Sequence, residues 1–122
     1  MADKIANENA TAKYTAVIKD EADVAIAAAT LTTLTLTLYD LAKASIINSR
    51  NAVDALNANN VVVDSSGNLT WTMQPADNVI VTDGNELEPH FALFEYTWSS
   101  PAKRGSHEVA LFVRDITKVA AL

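Results

Sequence analysis

Thr30-Leu31-Thr32-Thr33-Leu34-Thr35-Leu36-Thr37-Leu38-Tyr39 is the stretch on which the fold turns. From Thr33 onward Thr and Leu alternate. In an extended strand this places Leu34, Leu36 and Leu38 on one side and Thr33, Thr35 and Thr37 on the other. Wound as a helix, the same leucines scatter around the cylinder and the β-branched threonines lose χ1 freedom. The segment is therefore expected to be a strand with one buried face, ending near Asp40.

The same period of two recurs on both sides of it. Lys13 to Ile18 places Tyr14, Ala16 and Ile18 on one face, and Lys19-Asp20-Glu21-Ala22-Asp23 follows as a polar turn. Val24 to Ala29 is either the tail of that loop or a short edge strand. Leu41 to Ser45 is read as a hairpin turn with Ile46-Ile47 as its return. Asn stands at 48, 51, 57, 59 and 60, and Ala52-Val53-Asp54-Ala55-Leu56 fits one helical turn. Val61-Val62-Val63 is a strand, 64–68 a turn, and Leu69 to Met73 a strand that places Leu69, Trp71 and Met73 together. Pro75-Ala76-Asp77-Asn78 breaks it, Val79 to Val81 is short and extended, and 82–86 is a loop.

His90 to Trp98 and His107 to Arg114 form an antiparallel hairpin across a turn-rich connection at 99–106. The first puts Ala92, Phe94, Tyr96 and Trp98 on one face, the second Val109, Leu111 and Val113. The tail from Thr117 to Leu122 either adds pairing or frays. Short alternating strands separated by turns, with no long amphipathic helix to cover a sheet, predict an all-β, antiparallel two-sheet sandwich. Residues 1–12, polar and without period, are expected to be a mobile arm or one ordered only against a partner, and 13–122 a single sandwich domain.

Bulk properties narrow the function. A chain of 122 residues has the usual size of one domain and suffices for a real core. A formal charge of −6 disfavours nucleic acid as a partner. With no cysteine, disulfides, thiolate metal sites and Cys nucleophiles are ruled out. No apolar run reaches the ~20 residues of a membrane span. Met1-Ala2-Asp3-Lys4 is too polar for a signal peptide, so cytoplasmic synthesis is expected.

No catalytic, cofactor or metal residues are singled out. His90 and His107 are placed at opposite ends of the hairpin, on the rim, too far apart to share a metal. Asp83, Glu86 and Glu88 near His90 lack the ligand spacing of a calcium loop and are read as a solvated loop. No Gly-x-Ser-x-Gly elbow or Gly-rich phosphate loop occurs. Lys103 and Arg104, placed at the hairpin tip, are read first as a solvated loop tip and, as the functional alternative, as contacts to an acidic neighbouring subunit or carbohydrate. Trp71, Tyr96 and Trp98 fall on apolar faces, which counts against a carbohydrate-binding module, and a hydrolase has no support.

Tyr14 through Glu21, the Leu31-to-Asp40 run, Gly67-Asn68-Leu69-Thr70-Trp71, Ala92 through Trp98 and Gly105-Ser106-His107-Glu108 together resemble a group of small tailed-bacteriophage virion proteins with immunoglobulin-like sandwiches. The same strand grammar resembles the N-terminal domain of phage baseplate upper proteins. The resemblance spans roughly residues 13 to 118. It implies a non-enzymatic homo-oligomer in the virion, without nucleic acid, membrane or cofactor. Its partners are expected among portal or neck, capsid or tail proteins, with the head–tail junction ranked first, capsid decoration second and baseplate or tail attachment third. Family members place Gly in the turns after Glu21 and Leu41. Here Ala22-Asp23 and Ala42-Lys43-Ala44 stand there, so other turn geometries are expected.

Overall fold

In a computed structural model of the chain, residues 4–42, 44–82, 84, 86–99 and 103–115 are described. Among them the strands are β1 (Lys4–Asn7), β2 (Ala12–Val17), β3 (Leu31–Asp40), β4 (Val53–Asp54), β5 (Val61–Val63), β6 (Asn68–Met73), β7 (Leu87–Trp98) and β8 (Lys103–Arg114). They form two sheets, β1-β8-β7-β3-β4 and β2-β6-β5. All pairings are antiparallel except β1 with β8, which is parallel.

The Thr/Leu segment is the strand its alternation predicts. Leu34, Leu36 and Leu38 are fully buried, and β3 pairs with β7 from Leu31 to Asp40. Facing them from the smaller sheet are Val61, Val63, Leu69, Trp71 and Met73, all buried in the same core. Trp71 of β6 meets Phe94 of β7 edge to face, with ring centroids 5.8 Å apart. Such a pair adds about 0.5–1.5 kcal/mol beyond the area it buries. Gly67, at φ +81°, closes the β5–β6 turn where a Cβ would come within 2.8 Å of the Ile26 carbonyl oxygen.

Several expectations are corrected. The mobile arm expected over residues 1–12 is, from Lys4 to Asn7, strand β1, because Ala6 buries against the core and the backbone pairs with Leu111 to Arg114. Asn9 and Asn78 then bond across the passage to β2, through Asn9 N–H to the Asn78 carbonyl at 2.6 Å. Met1–Asp3 and the tail Thr117–Leu122 lie outside the described residues. The helical turn expected at Ala52–Leu56 is instead the two-residue strand β4, drawn into the ladder by β3. Val79–Val81 forms no strand. Ile46 makes a single bridge to Tyr39 rather than a return strand.

β7 begins at Leu87, not His90, although Pro89 lacks an N–H. The Pro89 carbonyl accepts from Leu41, so its nitrogen also faces β3, one residue past the end of that strand. The missing donor therefore costs the ladder little. β8 begins at Lys103 because Trp98 pairs with Lys103, so the hairpin connection shrinks to 99–102. The turns without glycine adopt left-handed backbone all the same: Asp23 has φ 64° and Ala44 φ 52°. The asparagines explain themselves in the same way. Asn48, Asn57, Asn59 and Asn60 all take positive φ, which Asn tolerates better than most residues.

Candidate interaction surface and buried polar sites

Cross-strand register fixes what the outer face of the five-stranded sheet carries, because paired residues share a face. One row runs Ile5–Phe112–Pro89, with Leu41 just beyond. The next runs Ala110–Phe91–Tyr39–Ile46. Further along come Glu108–Leu93–Thr37, then Ser106–Glu95–Thr35, then Arg104–Thr97–Thr33. The face is thus apolar and aromatic at the end where β1 pairs, and threonine-rich and charged at the other. Ile5 (47%), Leu41 (48%), Ile46 (43%) and Leu87 (46%) are large apolar side chains left open to solvent there. Tyr39 stacks edge-on against Phe91 at 5.8 Å and donates its hydroxyl to Glu108 at 3.0 Å. Burial and this carboxylate hold the Tyr39 phenol above its ordinary range. The threonine end holds a shallow hollow of about 180 Å³ lined by Thr33, Thr35, Thr97 and Arg104.

Lys103 and Arg104 are not at a loop tip but are the first residues of β8. The ammonium of Lys103 is taken by Glu21 of the β2–β3 connection, each partner shifting the other toward its charged form. Arg104 stands exposed on the threonine end of the outer face.

The histidines occupy different places, four residue steps apart along the hairpin: His90 pairs with Leu111, and His107 with Phe94. Neither is on the rim as expected. His107 continues the inward phase of Val109 and Leu111, and its Nε2 lies 2.6 Å from the Tyr14 hydroxyl. His90 is 1% exposed. It meets Glu88, whose Oε1 lies 2.6 Å from His90 Nε2 and accepts the Val81 N–H at 2.7 Å, while Oε2 accepts the Thr82 N–H at 2.8 Å. Asp40, at the end of β3, completes a fully buried trio whose ligand-type atoms lie within 4.8 Å of one another. Glu88 is thus not in a solvated loop; Asp83 of that expected acidic cluster lies outside the described residues. The donor set suits a divalent ion in type. Two ligands of one tetrahedral ion, however, sit about 3.3 Å apart for bonds of ~2.0 Å. At 2.6 Å, His90 and Glu88 are hydrogen-bonded instead, and Glu88 serves to fasten the 81–82 backbone to β7.

A second buried polar site lies just past the C-terminal end of β6. Arg50 forms a two-pronged pair with Asp77, Nε to Oδ1 at 2.6 Å and Nη2 to Oδ2 at 3.0 Å. Two of its three remaining N–H groups go to the Asn59 carbonyl and Asn60 Oδ1 at 3.0 Å, and its guanidinium lies over the Trp71 ring. Asn48 and the Gln74 N–H also donate to Asp77, both at 2.8 Å. This joins the β3–β4 connection of one sheet to the end of β6 in the other.

Sequence reasoning missed Asp40 and Arg50. Asp40 was within reach, since the period that buries Leu34, Leu36 and Leu38 also carries position 40 inward. Arg50 lies in an aperiodic asparagine-rich loop and offers no such signal.

Burial raises the phenols of Tyr14 and Tyr96 above their ordinary 10.0. A folded pKa above the unfolded one gives stability that is complete below pH 10.0 and is lost as pH rises through the folded value. Thermal unfolding followed against pH should therefore fall in strong alkali. The double variant Tyr14→Phe/Tyr96→Phe should show a shallower fall, and an equally steep one would refute the assignment.

No family model, curated protein or solved structure matches this chain.

Proposed function

We propose that this chain is a non-enzymatic structural protein of a tailed-phage virion, with an immunoglobulin-like sandwich, assembling at the head–tail junction or on the capsid surface. Its strand order supports the immunoglobulin-like reading. A sheet ordered β1-β8-β7-β3-β4 over one ordered β2-β6-β5 corresponds to the variable-type arrangement in which the first strand runs parallel to the last. The disulfide and the Trp on the third strand of antibody domains have no counterpart. Trp71 on β6 and Phe94 fill the centre instead.

The observation that carries a docking role is the apolar half of the outer face, where large side chains lie open on a sheet that has a full core on its other side. Among the described residues β1 and β4, and β2 and β5, are edge strands, which offer further backbone pairing to a neighbour. The histidines are engaged by Tyr14 and Glu88, which favours structural over catalytic roles for them.

Mass spectrometry of purified particles, with antibody labelling, tests the assignment. The chain is expected in stoichiometric amount at one place on the particle. Its absence there, together with micromolar binding to a glycan panel, would replace the proposal with a carbohydrate-binding module.

A further inference from the structure

We propose that β1 is an exchangeable arm: the edge of β8 on which it pairs also accepts residues 4–8 of a second copy, giving a strand-exchanged dimer. This goes beyond the virion reading and does not rest on it. The ladder itself sets the partner, since the segment known to fit that edge is the chain's own. Exchange remakes the same register, Lys4 on Leu111 through Asn7 on Arg114, between copies instead of within one.

Three features of this flank favour exchange. The first is that side chains hold β1 weakly. Ala6 is buried, Ile5 and Asn7 are exposed, and the main core cluster includes neither Ala6 nor its partner Val113. Undocking therefore leaves that cluster whole. The second is position. Among the described residues β1 and β2 are the edge strands on one flank of the sandwich, where Tyr14 meets His107 across the layers. β1 leaves without crossing the core, by straightening of the connection to β2.

The third is strain in that connection when it is closed. Asn7 to Ala10 is a tight turn in which the Ala10 N–H donates to the Asn7 carbonyl at 3.3 Å, and its third residue, Asn9, takes φ 55°. Left-handed backbone is costlier for Asn than for Gly. Asn78 clamps the turn: its carbonyl accepts the Asn9 N–H at 2.6 Å, and its Nδ2 donates to the Ala10 carbonyl at 2.8 Å. Asn78 is fully buried, and its Oδ1 has no hydrogen-bond partner among the described residues. An unpaired buried acceptor is destabilising. Opening the turn admits water to Asn78 and releases Asn9. The β1–β8 ladder is the same in both forms, so this hinge and the protein concentration decide between them.

Sedimentation of the full chain reads the balance. A short tether holds its own segment at an effective concentration of order mM, so the parent protein should be monomeric at about 10 μM and partly dimeric when refolded at about 1 mM. Proline cannot take φ 55° and lacks the N–H given to Asn78, so Asn9→Pro should bring the onset of dimer down about a hundredfold. Asn9→Gly relaxes the closed turn and should leave less dimer than the parent at about 1 mM.

Disulfides read the exchange itself, since the chain has no cysteine. Ala6 and Val113 are ladder partners and both are buried, so no surface contact between copies brings them together. Adjacent strands lie ~4.8 Å apart, within disulfide reach. In the Asn9→Pro background, Ala6→Cys and Val113→Cys chains refolded together at about 100 μM should oxidise to a linked heterodimer. Both changes in one chain that keeps Asn9, at about 1 μM, should close an internal bond instead, which shows that the geometry allows linkage. If that control does not oxidise, the mass of Asn9→Pro decides alone; if Asn9→Pro does not fold, the mixture with Asn9 retained, at about 1 mM, takes its place. Asn9→Pro that stays monomeric up to about 1 mM, or a dimer without the mixed disulfide while the control links, overturns the proposal. Either result leaves the virion role standing, since mass spectrometry of particles tests that separately.

Discussion

Replacing Arg50 with alanine is expected to cost about 3–5 kcal/mol of unfolding free energy, because it leaves the carboxylate of Asp77 buried without its cation. Asp77 is 1% exposed, and among the described residues Asn48 and the Gln74 N–H remain as donors to it. Arg50 also spans the two sheets, so its loss frees the asparagine loop from the end of β6. Replacing both partners with apolar residues, as in Arg50→Met/Asp77→Leu, should cost clearly less than the sum of the single changes, since no stranded charge is left. Urea unfolding of the three variants measures this. A double variant as damaged as the sum would show that the pair's geometry, rather than charge compensation, sets its worth.

Trp71→Ala is the other large change, expected at about 3–5 kcal/mol from lost burial and the cavity left behind. Trp71 is fully buried between Phe94 and the Arg50 guanidinium, and its removal takes a contact from each. Its Nε1 is buried and has no hydrogen-bond partner among the described residues. Trp71→Phe should therefore cost much less, because it keeps an aromatic ring against Phe94 and removes a donor whose isolation costs about 1–3 kcal/mol. Thermal unfolding of both variants should place phenylalanine close to the parent protein and alanine far below it. Equal losses would mean that the indole nitrogen is satisfied, for instance by water.

Much of the sheet architecture was legible in the residues because it rests on a period of two. Leu34, Leu36 and Leu38, the Leu69–Trp71–Met73 set and the inward phase of β7 and β8 all follow from it. What alternation cannot supply is pairing partners. Nothing in Lys4-Ile5-Ala6-Asn7 marks a parallel strand, because its order comes mainly from backbone bonds to β8, with Ala6, the one buried side chain among those described, too small to set a pattern. Val53-Asp54 is likewise extended only because β3 offers it a ladder. The character of the docking face is hidden in the sequence for a related reason. The outward phase of β3 is threonine, but half the outer surface belongs to β7 and β8, where the outward residues are Phe91, Leu93 and Phe112. Its character appears only once register sets those strands side by side. The buried Asp40–Glu88–His90 trio lies between these cases: each member has an inward phase, and only the β3–β7 pairing brings them together.

The parallel ladder joining residues 4–7 to 111–114 has a consequence for how the molecule is made. A ribosome delivers residues 4–7 more than a hundred residues before the strand they dock on, so that pairing cannot form until residues 111–114 have emerged. Closing so long a loop is entropically slow, so this segment should be the last to lock during biogenesis. Until then the far edge of β8 stays uncovered, a brief interval in which one nascent molecule could lend its leading segment to another.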